Sequence, residues 1–207
     1  MDAEPVKEEG APGRAAGARE RILAAAYDLF ARHGIAAVGV DAIVAHAGVA
    51  KMSLYRHFRS KDELVLAFLE RRRELWWSRW LEAEIARRAP DPAARLLAIF
   101  DVFDGWFQEP EFEGCSFINV LLEAKRGSKA GSAAARQLAE IRGVVAGLAA
   151  EAGLAEVDRF ARAWHILMKG SIVAAGEGQR DAARVAQEMG RTILAGWPRR
   201  AGAGQDG

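Results

Sequence analysis

Between residues 132 and 152 the apolar side chains Ala134, Leu138, Ile141, Val145, Leu148 and Ala152 recur at alternating steps of four and three. That period matches a helix of 3.6 residues per turn, so the stretch predicts a helix with a single apolar stripe. The same spacing returns along most of the chain, and no run alternates apolar with polar residues as a half-buried strand does. The expected fold class is all-α. At 207 residues, 51% of them hydrophobic, the chain has ample material for a core and room for a small domain joined to a larger one.

The first predicted helix covers 19–33, with Ile22, Ala26, Leu29 and Phe30 on one stripe and Gly34 as its stop. A short second helix over 40–46 turns Val40, Ile43 and Ala47 inward, and "AGV" at 47–49 breaks it. A third over 50–57 turns Leu54 and Phe58 inward. "SKDE" at 60–63 matches a capping box, in which Ser60 caps and Glu63 reaches back; the fourth helix then runs to Arg88. Asp91 and Pro92 suit the start of a helix whose apolar face is Leu96, Ile99, Phe100, Phe103 and Phe107. "GCSFINVLLEAK" is a shorter helix, and the last two run over 155–175 and 180–196. Residues 1–18 and 199–207 lack apolar periodicity and read as a disordered leader and tail. Between them lie a helix-turn-helix region, 19–66, and a larger helical domain, 67–198.

The net charge of +1 hides a local excess. Residues 19–61 carry Arg19, Arg21, Arg32, Lys51, Arg56, Arg59 and Lys61 against Glu20, Asp28 and Asp41, while the flanking regions are weakly negative. A basic patch beside a near-neutral body fits a phosphate-facing module. That patch contains "AGVAKMSLYRHFRSKDEL", residues 47–64. Two short helices joined by a turn containing Gly form a helix-turn-helix pattern.

A helix of two or three turns is marginal alone, so its inward face must lock onto neighbours while its outward face stays available. With Leu54 and Phe58 inward, the pairs Lys51–Tyr55 and Ser53–His57 point elsewhere, and Arg56 adds a further donor. In a DNA major groove Lys51 can donate to guanine, Ser53 can donate or accept, and Met52 offers apolar contact, for example to a thymine methyl. Tyr55 and His57 suit phosphate oxygens. Lys61 lies in the first turn of the next helix, where backbone amides favour an anion, although Asp62 and Glu63 oppose that field. An ordinary solvated helix has the same spacing, so periodicity alone leaves both readings open.

"RERILAAAYDLFARHG" followed by "VDAIVAHAGVAKMSLYRHFRSKDEL" resembles the DNA-binding region of the TetR family of transcriptional regulators. The resemblance covers residues 19–66 without gaps. It is carried by Ile22, Ala25, Ala26, Leu29, Phe30 and Gly34, then Asp41, Ile43, Ala47, Gly48 and Val49, then Leu54, Tyr55, His57, Phe58, Lys61 and Leu64. "GCSFINVLLE" is similar to a stretch in the regulatory domain of many members. The resemblance implies that residues near Lys51, Met52 and Ser53 face bases and that Tyr55, His57 and Lys61 hold phosphates. It also implies a helical ligand-sensing and dimerising domain; many such proteins repress transcription until a small molecule binds. Three positions depart from the family pattern: Val38 and Gly39 stand where Thr and Ser are frequent, and Ala50 where Ser is frequent. Losing a cap of that kind costs about 1 kcal/mol.

In the larger region Trp76, Trp77 and Trp80 cluster on the fourth helix. The family resemblance implies a ligand pocket; placed between this helix and the one bearing Phe103, Trp106 and Phe107, it is expected from those aromatic residues to take a small, largely apolar effector. The candidate ligand-binding residues are Trp76, Trp80, Phe103, Trp106, Phe107 and Asn119; plain core packing explains the same aromatic spacing. Phe160, Trp164, Met168 and Ile172 on the penultimate helix, with Val185, Met189 and Ile193 on the last, form stripes for a two-fold four-helix bundle. The alternative is burial within one subunit. A homodimer would place two recognition helices on a pseudo-palindromic operator in double-stranded DNA. His165 lies off the stripe, near Arg162 and Lys169, and is expected on a solvated polar face. Cys115 is expected to be a packed thiol.

A single cysteine excludes an intrachain disulfide. The N-terminus lacks the basic and apolar regions of a secretory signal, and no apolar run reaches the roughly 20 residues of a membrane span. A cytoplasmic protein is expected. Four His and one Cys give no metal-ligand spacing. No glycine-rich phosphate loop and no nucleophile–base pair is present either, so no cofactor and no enzymatic activity are expected. A non-specific architectural DNA binder, or a regulator without a small effector, is the competing reading.

Overall fold

The computed structural model describes residues 17–75 and 81–200. Among the described residues there are ten helices and no β-strand beyond one bridge between Leu154 and Arg199. The helices are α1 (Ala18–Ala37), α2 (Val40–Ala47), α3 (Lys51–His57), α4 (Lys61–Arg72), α5 (Glu82–Arg88), α6 (Pro92–Gln108), α7 (Ser116–Glu123), α8 (Lys129–Glu151), α9 (Val157–Gly176) and α10 (Ala182–Gly196). The all-α expectation holds. The fourth helix, expected to run unbroken to Arg88, is described as α4 and α5, and residues 76–80 between them lie outside the described residues.

The chain packs as two compact units, one within Met1–Ser78 and Cys115–Leu138 and the other within Arg79–Gly114 and Ala139–Gly207. In the first, α1 is the spine. Ile22, Ala25, Ala26 and Phe30 from α1 meet Ile43 and Ala47 from α2, Leu54 from α3, and Leu64, Val65, Phe68 and Leu69 from α4, all buried. Tyr27 and Phe30 each meet the Phe68 ring edge-on at 5.6 Å between centroids, a preferred aromatic geometry.

The predicted punctuation explains where these helices stop. Gly34 sits at φ 77° and ψ 162° and interrupts α1, a conformation open essentially to glycine. Gly48 closes α2 in the left-handed region, as the "AGV" break requires. Ser60 accepts from the Glu63 amide at 3.1 Å, while Glu63 reaches back to the Arg59 amide at 2.7 Å. Both halves of the capping box are thus made, the second one residue earlier than the usual pattern. Asp91 accepts from the Ala94 amide at 2.9 Å with Pro92 behind it.

α7 belongs to the first unit as well. Its Glu123 carboxylate accepts from the Ala36 amide at 2.7 Å, just past the Gly34 kink. The carboxylate also fills the space where a Cβ on Gly34 would stand. Arg72 at the end of α4 donates to the Tyr27 hydroxyl at 2.7 Å, and Arg71 pairs with Glu20 of α1. Cys115 is buried, and burial pushes its thiol pKa up; a packed, protonated thiol is the state expected of it.

The second unit has an aromatic core. Phe100, Phe103, Trp106 and Phe107 of α6, with Phe112, form a chain of ring contacts with centroids 4.9–6.2 Å apart. Trp164 of α9 stacks on Phe160 at 5.1 Å and meets Phe100 at 5.5 Å. Gly190 of α10 lets that indole approach, since a Cβ there would lie 2.9 Å from its ring. The chain after α10 is held by backbone bonds from Ala155 to Pro198 and from Arg200 to Gly153. Residues 201–207 lie outside the described residues.

Candidate nucleic-acid interface

α3 presents two opposed faces because Leu54 and Phe58, four residues apart, are 0% and 2% exposed. The Arg19 guanidinium lies 5.2 Å from the centroid of the Phe58 ring, closing the inner side. Away from that anchor, Lys51, Met52, Tyr55, Arg56 and His57 are exposed, while Ser53 and Lys61 are half-buried. Met52 is 68% exposed, a degree of exposure that hydrophobicity opposes and an apolar contact partner would relieve. The seven residues predicted for DNA contact thus surround one short helix and the start of the next.

The departures from the family pattern have local consequences. Val38 is buried, so the hydrophobic side chain joins the core where a hydroxyl is frequent. Gly39 and Ala50 occupy the N-cap positions of α2 and α3, and neither helix has a side-chain cap there. α3 is started instead by the Ala50 carbonyl, which accepts from the Ser53 and Leu54 amides at 2.8 and 3.4 Å.

Electrostatics adds what spacing did not reveal. The Lys51 ammonium lies 2.7 Å from the Asp41 carboxylate, at the start of α2. The hydrogen bond to Asp41, then its charge, raises the Lys51 pKa and keeps the ammonium protonated. Asp28 of α1 pairs with Arg32 at 2.9 Å and reaches His46 of α2 at 3.2 Å. Only the acidic residue at 41 and the lysine at 51 were visible in sequence; the turn at Gly48 brings them together.

The remaining candidates fall elsewhere. Phe103, Trp106 and Phe107 are buried against one another in the second unit, and Asn119 is half-buried on α7 in the first. Trp76 and Trp80 lie outside the described residues, as does Trp77. Phe160, Trp164, Met168 and Ile172, expected at a subunit interface with burial within one subunit as the alternative, are 0–7% exposed and pack within their own unit. On these two helices the large apolar residues left in the open are Ile166 and Val173 on α9, with Val185 and Met189 on α10, all at least 50% exposed. Ile193 is half-buried. Ile166 and Val173 were missed although their separation of seven, two helical turns, marks a second apolar face.

His165 corrects an expectation. It is buried, not on a solvated face, and burial followed by the charges of Lys169 and Arg142 lowers its pKa to about 4. The imidazole is neutral at pH 7.

The sequence model of the bacterial regulatory proteins, tetR family, matches residues 22–68. Over 53 residues the chain is 49% identical to the transcriptional activator FasR of Mycolicibacterium smegmatis, covering 26% of this chain and 24% of FasR. Over 89 residues it is 34% identical to the repressor KstR2 of the same species, covering 43% and 42%. The match therefore spans less than half the length of either relative. Structural likeness extends further. A putative tetR transcriptional regulator from Streptomyces avermitilis superimposes with TM-score 0.75 at 29% identity, covering 87% of this chain and 97% of that one. A TetR-family regulator from Streptomyces coelicolor gives 0.76 at 25%, covering 86% and 88%.

Proposed function

We propose that the chain is a TetR-family bacterial transcriptional regulator, a reading supported by the tetR-family match over residues 22–68 and by the likeness to solved TetR regulators, and that it works in a specific way: a homodimer represses transcription from a pseudo-palindromic operator and releases it on binding a small, largely apolar effector. The observation that carries the DNA part is the two-faced α3, anchored by buried Leu54 and Phe58 and exposing Lys51, Met52, Tyr55, Arg56 and His57. In this reading Lys51, Met52 and Ser53 meet base edges, while Tyr55, Arg56, His57 and Lys61 hold phosphates.

Residues 19–66 form the DNA-binding domain and 67–198 the effector and dimerisation domain. The exposed Ile166, Val173, Val185 and Met189 support a dimer built on α9 and α10, since such a patch is costly to leave in water. A monomeric mass at micromolar concentration would count against it. The aromatic interior around Phe103, Trp106 and Phe107 supports an apolar effector. That part fails if apolar compounds never alter tryptophan fluorescence or DNA affinity. FasR is named an activator and KstR2 a repressor, so repression is the direction to test, with a reporter placed behind the operator.

The primary experiment selects duplexes from a random pool and measures affinity by fluorescence anisotropy across a salt series. The expected result is convergence on a two-fold symmetric site, with affinity falling steeply as salt rises. Equal affinity for every duplex would favour an architectural protein instead.

A further inference from the structure

The Asp41–Lys51 pair places a hydrogen-bond acceptor beside a donor, 2.7 Å apart, at the edge of the surface that α3 exposes. Neither side chain is buried; Asp41 is 79% exposed and Lys51 54%. Surface ion pairs of this kind contribute little to stability. A carboxylate on a DNA-facing surface is also repelled by phosphates, so its position there asks for an explanation.

Base-pair chemistry supplies one. In the major groove a G·C pair presents the guanine acceptors N7 and O6 next to the cytosine N4 amino donor. O6 and N4 are themselves hydrogen-bonded, at roughly the 2.9 Å typical of N–H···O bonds. An ammonium and a carboxylate at about that separation are complementary to this edge. The ammonium donates to O6 and N7, and the carboxylate accepts from N4.

The same pair discriminates against the alternatives. An A·T edge puts the adenine amino donor before Lys51, leaving it only the N7 acceptor, and the thymine carbonyl acceptor before Asp41, where the contact becomes repulsive. A T·A edge restores the inner donor and acceptor, yet it brings the thymine methyl to the ammonium and adenine N7 to the carboxylate. A carboxylate left without a donor is penalised at A·T and at the reversed C·G pair, which is how a repulsive element produces specificity.

We propose that Asp41 and Lys51 act as one composite reader of a G·C pair in each operator half-site, which makes Asp41 a specificity-determining residue. The proposal rests on α3 entering the major groove, and its test is chosen to separate the two ideas. Site selection is run with the full-length protein and with Asp41→Asn, Asp41→Ala, Lys51→Met and the Asp41→Ala/Lys51→Met double variant, each checked for unchanged thermal unfolding. Wild-type protein should require G·C at one symmetric pair of positions. Asp41→Asn and Asp41→Ala should each reduce that preference by roughly tenfold or more, with other positions unchanged. Lys51→Met should relax the same position, and the double variant should relax it little beyond either single change, because the two side chains read together. If Asp41→Ala keeps every wild-type preference and only tightens binding to all duplexes alike, the pair is a surface ion pair and the proposal is overturned. Wild-type protein with no base preference anywhere would overturn the groove-reading function, and this inference with it.

Discussion

α3 has one apolar face and α9 has two. On α3 the buried Leu54 and Phe58 leave a largely polar remainder in which Met52 and the amphipathic Tyr55 are the exposed large hydrophobic members. On α9 the buried stripe of Phe160, Trp164, Met168 and Ile172 is joined by an exposed pair, Ile166 and Val173. A polar face opposite a sound anchor has one direction left to point, so periodicity identifies it directly. Two apolar faces on one helix can serve two different cores, and periodicity does not say which of them belongs to the subunit.

The largest effect that sharpens this contrast is expected at Trp164. It is 0% exposed and stacks on Phe160, so Trp164→Ala should cost about 3–5 kcal/mol in chemical unfolding. A loss below about 1 kcal/mol would mean that this face does not belong to the core.

His165 comes next. Folded, it titrates near pH 4, against 6.5 for an ordinary histidine. Between those values the unfolded chain binds more protons, so stability is full above the unfolded pKa and falls as pH drops through this window. The loss should approach about 2–3 kcal/mol near pH 4. His165→Phe should flatten the slope of unfolding free energy between pH 4.5 and 6.5, the pH range to be scanned; an unchanged slope would contradict burial of the neutral ring.

Gly34→Ala tests the fixed side of the comparison. The positive φ and the Glu123 carboxylate in the Cβ position should together cost about 1–3 kcal/mol in thermal unfolding. Met52→Ala should be the smallest for the fold, within about 0.5 kcal/mol of wild type. Its effect should appear instead as a changed base preference, measured by site selection. Stability loss without any change in DNA preference would place Met52 in a core and break the contrast.

The degree to which sequence revealed the molecule follows the same division. Helix starts and stops were legible because Gly34, Gly48, Ser60 and Asp91 act on their own neighbours, through positive φ or a hydroxyl or carboxylate cap. The exposed face of α3 was legible because Leu54 and Phe58 fix the rotation of a short helix. The Asp41–Lys51 pair was not, since it depends on how the turn at Gly48 folds α2 beside α3. His165 was misplaced because a helix with two apolar faces leaves little polar arc, and a histidine within it is buried by neighbours that sequence spacing does not name.

The central claim, that the outer face of α3 enters the major groove of a particular site, is tested most directly by cross-linking. A photoreactive phenylalanine analogue placed at position 52, whose side chain is 68% exposed, would be irradiated with duplex carrying the selected site. The account predicts cross-links to bases at two symmetry-related positions in the major groove, suppressed by unlabelled selected duplex and not by a scrambled one. Cross-links spread evenly along any duplex, or none despite binding, would contradict it.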